Sequence, residues 1–177
     1  MTGNTIVLDA CLAITFGNVE AFEVVAQLRR HRVTIARRAA AEVTRPPALD
    51  QLNKAIEHGL ITVEQIDLDA GGEQEALARF DNSPRFRGRG DAEVLALAIS
   101  RGWIVGSDET AVRRAAQTEI GAARVAGTLD FLRWAVIERR ITTAQAVALL
   151  GRVDVGSGLL QRIEASGQTP EELFDGG

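Results

Sequence analysis

Short apolar runs recur along the chain, each followed by a longer stretch with helical spacing. Ile6, Val7 and Leu8 form the first run, a short buried strand closing on Asp9, with a helix predicted over 10–16 until Gly17 breaks it. Asn18 is placed to cap a helix over 19–30, with Phe22, Val25, Ala26 and Leu28 facing inward. Val33, Thr34 and Ile35 predict the second strand, and 36–43 a helix that carries Glu42 and stops near Pro46-Pro47. A helix over 48–58 leads through Gly59 to a third strand over 60–63, and Gly71-Gly72 mark a turn before a helix through Phe80.

The segment DNSPRFRGRG, residues 81–90, reads as a loop that ends at Asp91. From there Val94, Leu95, Leu97, Ala98 and Ile99 cover the broad face of a helix packed on a sheet, and Gly102 stands where a left-handed cap is wanted. Trp103, Ile104 and Val105 predict a fourth strand that breaks at Gly106-Ser107-Asp108 and passes into a helix over 109–117. A last strand is expected over 123–125, then helices over 129–139, 143–150 and around 157–165. Thr142 with Gln145 fits a capping box, and Thr169, Pro170 and Glu172 fit another for a final short turn. Strands alternating with helices in this way predict an α/β three-layer sandwich, its central, mostly parallel sheet of four or five strands covered on both faces.

Composition narrows the picture. A chain of 177 residues, 46% apolar, suits one domain with an adequate core. No run reaches the eighteen or so apolar residues of a membrane span, and no basic residue precedes Asp9 in the layout of a secretory signal. Cys11 is the only cysteine, which excludes an internal disulfide, suits a reducing cytoplasm and predicts a buried, inert thiol. The net charge of -4 argues against a protein that coats nucleic acid non-specifically. The charge is uneven, however: Arg29, Arg30, Arg32, Arg37, Arg38 and Arg45 stand against Glu42 alone, and Arg79, Arg85, Arg87 and Arg89 against Asp81. Lys54 is the only lysine, so almost every cation is a guanidinium able to grip a phosphate through two parallel hydrogen bonds.

Singly, Asp9, Asp91 and Asp108 read as caps of the helices that follow them, and Glu42 as a partner of Arg38 one turn earlier. Jointly they say more. Asp9 and Asp108 end apolar strands at the same rim of a parallel sheet, where ligands bind in such folds, and helices starting at that rim can aim Asp91 and Glu42 inward. Carboxylates gathered there repel one another unless a hard divalent cation neutralises them, and Mg2+ or Mn2+ prefers such oxygens. The two histidines, His31 and His58, have no companion at zinc-ligand spacing. Glu93 points about 160° away from Asp91 around the helix, and Glu109 reads as a first-turn partner of the helix dipole.

The ordered set IVLDACLAI, ARRAAAEV, GRGDAEVLALA and IVGSDETAVRRAA resembles a PIN-domain nuclease, with GTLDFLRWAVIERR similar to the segment that begins the last helices of that superfamily. The resemblance implies a nuclease domain over 1–140, with 141–177 a helical extension packed on it. It implies that Asp9, Glu42, Asp91 and Asp108 are the catalytic acids and hold one or two Mg2+ or Mn2+ ions, with Ser107 helping to set the pocket. Arg37, Arg38, Arg85, Arg87 and Arg89 are the corresponding candidates for positioning the substrate backbone. The implied activity is endoribonucleolytic, on single-stranded or structured RNA. PIN proteins of this length resemble toxins of toxin-antitoxin pairs, which implies a small antitoxin partner, a homodimer and a cytoplasmic location. The C-terminal helices depart from the most compact toxins. Trp103, Trp134 and Phe131 are candidates for an apolar dimer surface or for core.

Two other α/β readings fail on single residues. A haloacid-dehalogenase-type phosphatase needs a second Asp two residues after the first and a downstream lysine; this chain has Cys11 there and only Lys54. A receiver domain fails on the same lysine. The remaining alternative is a catalytically idle PIN-like fold that binds protein or RNA, which retention of all four acids disfavours.

Overall fold

The structure is a computed structural model describing residues 4–84, 86, 88–153, 160, 163 and 165–174. Five parallel strands, β1 (Asn4–Leu8), β2 (His31–Ala36), β3 (Thr62–Glu64), β4 (Ile104–Gly106) and β5 (Val125–Ala126), lie in the order β3-β2-β1-β4-β5. Ile6 sits opposite Val33 on one side and Ile104 on the other. Chain progression therefore reverses direction across the sheet between β1 and β4. The crevice outside the carboxyl ends of those two strands is the topological switch point.

Helices cover both faces. On one lie α1 (Ala10–Asn18), α2 (Phe22–Ala26), α4 (Ala48–Glu57), α8 (Thr128–Ile137) and α9 (Thr143–Val153); on the other, α5 (Gly71–Asp81), α6 (Arg89–Arg101) and α7 (Thr110–Ile120). The short α3 (Arg37–Glu42) touches both α1 and α6. Because the sheet is covered twice, Ile6, Val7 and Leu8 are consecutive yet all buried, which is why the strand reads as a continuous apolar run. This is the α/β three-layer sandwich, with a parallel central sheet, that the sequence pattern predicts.

The central helix α6 is buried on every side from Gly90 to Ala98, more than the broad face read from its apolar positions. It ends as expected at Gly102, whose φ of 67° is the left-handed cap. Its one buried acid beyond Asp91 is Glu93, which accepts from the backbone N–H of Arg38 and so caps α3, a service that Ala36 at the N-cap position cannot perform. At the far end of α6, Arg101 donates to Glu73 from Nε at 2.6 Å, to Glu64 from Nη1 at 2.9 Å and to the Gln65 carbonyl at 3.0 Å. Its guanidinium lies 4.8 Å above the Trp103 ring. Arg101 thus joins β3, α5, α6 and the approach to β4, and holds the Glu73 carboxyl below its ordinary pKa.

Several boundaries differ from those expected. Gly17 lies inside α1, because a Cβ there would come within 2.5 Å of the Ala48 Cα: it is a packing glycine and not a stop. The helix expected over 19–30 shrinks to α2, since the chain turns at Glu20 (φ 53°) and the Glu138 carboxylate captures the backbone N–H groups of Arg29 and Arg30. Gly71 and Gly72 belong to α5, and the last strand begins only at Val125, after a 3-10 turn over Ala122–Arg124. Both predicted capping contacts form: Gln145 N–H donates to Thr142 Oγ1 at 3.2 Å, and Thr169 N–H to Glu172 at 3.0 Å. The helix expected around 157–165 falls largely outside the described residues. Trp134 and Phe131 pack edge-to-face at 5.4 Å, with Phe131 buried.

Candidate metal centre

Four pieces of chain meet at the switch point. The end of β1 places Asp9, which caps α1 through Ala10 N–H (2.6 Å to Oδ1) and is 1% exposed. Its other oxygen, Oδ2, accepts from Ser107 Oγ at 2.8 Å and from Cys11 Sγ at 3.1 Å. The first turn of α6 places Asp91, 3% exposed, which among the described residues receives a single long contact of 3.4 Å, from Gly88 N–H. The turn after β4 places Ser107, fully buried, whose Oγ also accepts from Glu109 N–H at 3.1 Å. Ser107 therefore fixes the Asp9 carboxylate and the backbone of Glu109 together.

One carboxylate oxygen from each of Asp9, Asp91 and Glu109 lies within 4.8 Å of the other two. None of the three takes part in an ion pair among the described residues. The result is visible in Asp91, whose pKa rises from 3.8 to about 6, first through burial and then through the charges of Asp9, Glu109 and Glu42. Three oxygens converging without an ion-pair partner among the described residues fit a hard divalent ion, whose ligand oxygens stand about 4 Å apart across it.

Glu42, at the end of α3, lines the same cleft of about 710 Å3 but stays outside that close trio. Its Oε1 accepts from Gly90 N–H at 2.9 Å. The approach is tight: a Cβ on Gly88 would lie 2.8 Å from Glu42 Oε1, and one on Gly90 would lie 2.9 Å from the Ala39 Cα. Glycine at both positions lets the first turn of α6 seat against α3 and brings Glu42 to the rim.

Asp108 is placed differently from the sequence expectation. Its oxygens accept from Thr128 N–H (2.9 Å) and Thr128 Oγ1 (2.5 Å), so the side chain braces the start of α8 instead of facing Asp9. Arg113 Nη1 holds the Ser107 carbonyl at 2.9 Å on the same turn. With Asp108 committed there, it is the next residue, Glu109, that completes the trio. Glu109, expected as a first-turn partner of the helix dipole, faces Asp9 and Asp91 instead. The signal for both lay in the Asp108-Glu109 doublet followed by a small threonine at the next strand end.

The arginines divide. Arg38 lines the cleft while pairing with Asp81 at 2.8 Å, and Arg89 lines it exposed. Arg37 turns away to Gln65 at 3.0 Å. Arg85 and Arg87 lie outside the described residues. Cys11 lines the cleft only partly buried, and burial together with the Asp9 charge pushes its thiol up to about 12, so it stays protonated at neutral pH.

No curated protein and no solved structure matches the chain. A family model described as a PIN domain matches residues 5–152, from the first strand through nearly all of α9. The match covers most of the sequence, and the chain belongs to the PIN-domain family.

Proposed function

We propose that the protein is a metal-dependent endoribonuclease acting on single-stranded or structured RNA. The observation that carries this reading is the convergence of Asp9, Asp91 and Glu109 within 4.8 Å, with Glu42 on the rim of the same cleft. Asp9, Asp91 and Glu109 would hold a Mg2+ or Mn2+ ion, and such an ion lowers the pKa of water and offsets charge on a phosphodiester. Ser107 keeps one Asp9 oxygen oriented by its hydrogen bond, and Glu42, fixed by Gly90 N–H, bounds the space available to the substrate phosphate. Arg38 and Arg89 on the cleft wall steer the anionic backbone toward the carboxylates, which would otherwise repel it.

The role as a toxin of a toxin-antitoxin pair, with a small antitoxin covering the cleft and a homodimer as the active form, extends the same reading. The family membership and the open, arginine-walled cleft support it. No helix among the described residues is long and apolar enough to cross a membrane, and a cytoplasmic site of action is part of the proposal.

The test is cleavage of labelled RNA by purified protein in Mn2+, in Mg2+ and in chelator. Cleavage dependent on the divalent ion is expected. Cleavage that persists in chelator, or none in either ion, overturns the reading. A short reading frame overlapping upstream, whose product suppresses cleavage when co-expressed, is expected of the toxin role.

A further inference from the structure

We infer that the groove between the end of α5 and the outer face of α7 is a subsite for one base of the nucleic-acid strand, next to the phosphate held at the carboxylates; this rests on the nuclease reading. The groove encloses about 610 Å3. Ala111 and Ala115, one turn apart on α7, leave its space open, while Phe80, Phe86 and Arg114 wall it. Phe80 is buried and already engaged: Arg79 lies 5.2 Å over its ring and is itself paired with Glu119. Phe86 stands edge-on to Phe80 at 5.9 Å and 69° and is only partly buried, so Phe80 braces it while part of its surface stays open. Arg114 is exposed; its carbonyl accepts from Thr118 Oγ1 at 2.9 Å, while its guanidinium has no hydrogen-bond or ion-pair partner among the described residues. The groove therefore offers a braced aromatic ring and a free guanidinium.

Its position gives those groups a purpose. Two of the segments that line the carboxylate cleft also line the groove: Gly88 and Arg89 face the cleft and Phe86 the groove, Glu109 faces the cleft and Ala111 the groove. Residues two apart have Cα atoms within about 8 Å, so the two cavities are neighbours along both segments. The lining carries Arg79 and Arg114 against Glu119 alone, in a chain of net charge -4. A local cationic excess beside an aromatic face is the combination that holds a single strand, the base stacking and the guanidinium meeting a phosphate.

The experiment uses the full chain and single-stranded RNA carrying 2-aminopurine or an abasic nucleotide beside the cleavage position. Binding is read by fluorescence in chelator and turnover by cleavage in Mn2+. Wild type should quench 2-aminopurine, and the abasic substrate should bind about 5- to 150-fold more weakly. Phe86→Leu, which keeps the packing on Phe80 but removes the π face, should lose the quenching and no longer distinguish the two substrates; Phe86→Trp should restore both. Arg114→Ala should lower the slope of log affinity against log salt by about 0.7. Binding and quenching identical in wild type, Phe86→Leu and Arg114→Ala overturn the subsite, whether or not the protein cleaves. Failure of metal-dependent cleavage with Phe86-dependent quenching retained would sink the nuclease reading and leave the groove as a strand-binding site.

Discussion

Asp91→Asn should make the metal-free protein more stable while destroying its metal site. Native Asp91 keeps its proton to higher pH than it does in the unfolded chain, with a pKa raised from 3.8 to about 6. Between those values the native state binds more protons, so stability falls as pH rises through the window and the full loss is present above about pH 6. At 1.36 kcal/mol per pKa unit the loss is ~3 kcal/mol. Asparagine escapes it, because it has no charge to desolvate beside Asp9, Glu109 and Glu42, but it forfeits the carboxylate's attraction to the amino end of α6, worth roughly 0.3–1 kcal/mol. A net gain of ~2 kcal/mol remains, or roughly 4–8 °C in Tm for a domain of this size. Denaturant or thermal unfolding in chelator at pH 7.5 measures it. The gain should halve near pH 5 and vanish below pH 4. In Mn2+ at a hundred times its Kd the order inverts, since only wild type gains ~2.7 kcal/mol from the ion. An Asn variant less stable than wild type in chelator at pH 7.5, or equally stabilised by Mn2+, refutes the claim that uncompensated repulsion at this residue is relieved by a cation.

Glu109→Gln should cut metal-dependent cleavage at least tenfold and weaken Mn2+ binding in calorimetry, whereas Asp108→Asn should spare most Mn2+ affinity and instead cost about 1–2 kcal/mol of stability through its bonds to Thr128. Gly90→Ala should destabilise by about 1–3 kcal/mol in urea unfolding, because its Cβ meets the Ala39 Cα, and should lower cleavage by displacing Glu42 with every acid intact. Arg101→Ala should cost ~3 kcal/mol at pH 7 by stranding the nearly buried Glu73. Since Glu73 titrates below its ordinary value in the native state, that deficit should shrink as pH falls below 4.5, and a pH series of unfolding curves checks it.

Much of this molecule was legible in its residues. β1, α6 and the Gly102 cap follow from apolar spacing and one glycine, and Asp9 and Asp91 follow from their places at a strand end and a helix start. What could not be read was set by contacts far apart in sequence. Gly17 looks like a terminator until Ala48 is seen against it, and the end of α2 is fixed by Glu138, more than a hundred positions away. The choice between Asp108 and Glu109 depends on Thr128, which competes for one of two adjacent carboxylates. Local pattern names Asp108 and leaves Glu109 to the helix dipole; only the partner at the neighbouring strand end decides which one turns inward.

The two ends of α6 carry opposite electrostatic loads. At its carboxyl end one guanidinium is satisfied several times over by Glu73, Glu64 and a carbonyl, while at its amino end Asp9, Asp91 and Glu109 crowd together without an ion-pair partner among the described residues. Anchorage at the tail lets the head tolerate tension that an isolated helix would relieve by fraying. Substitutions around Arg101, remote from any phosphate, should therefore loosen the carboxylate constellation before they unfold the domain, which makes that distant knot a place where activity can be tuned without touching a ligand.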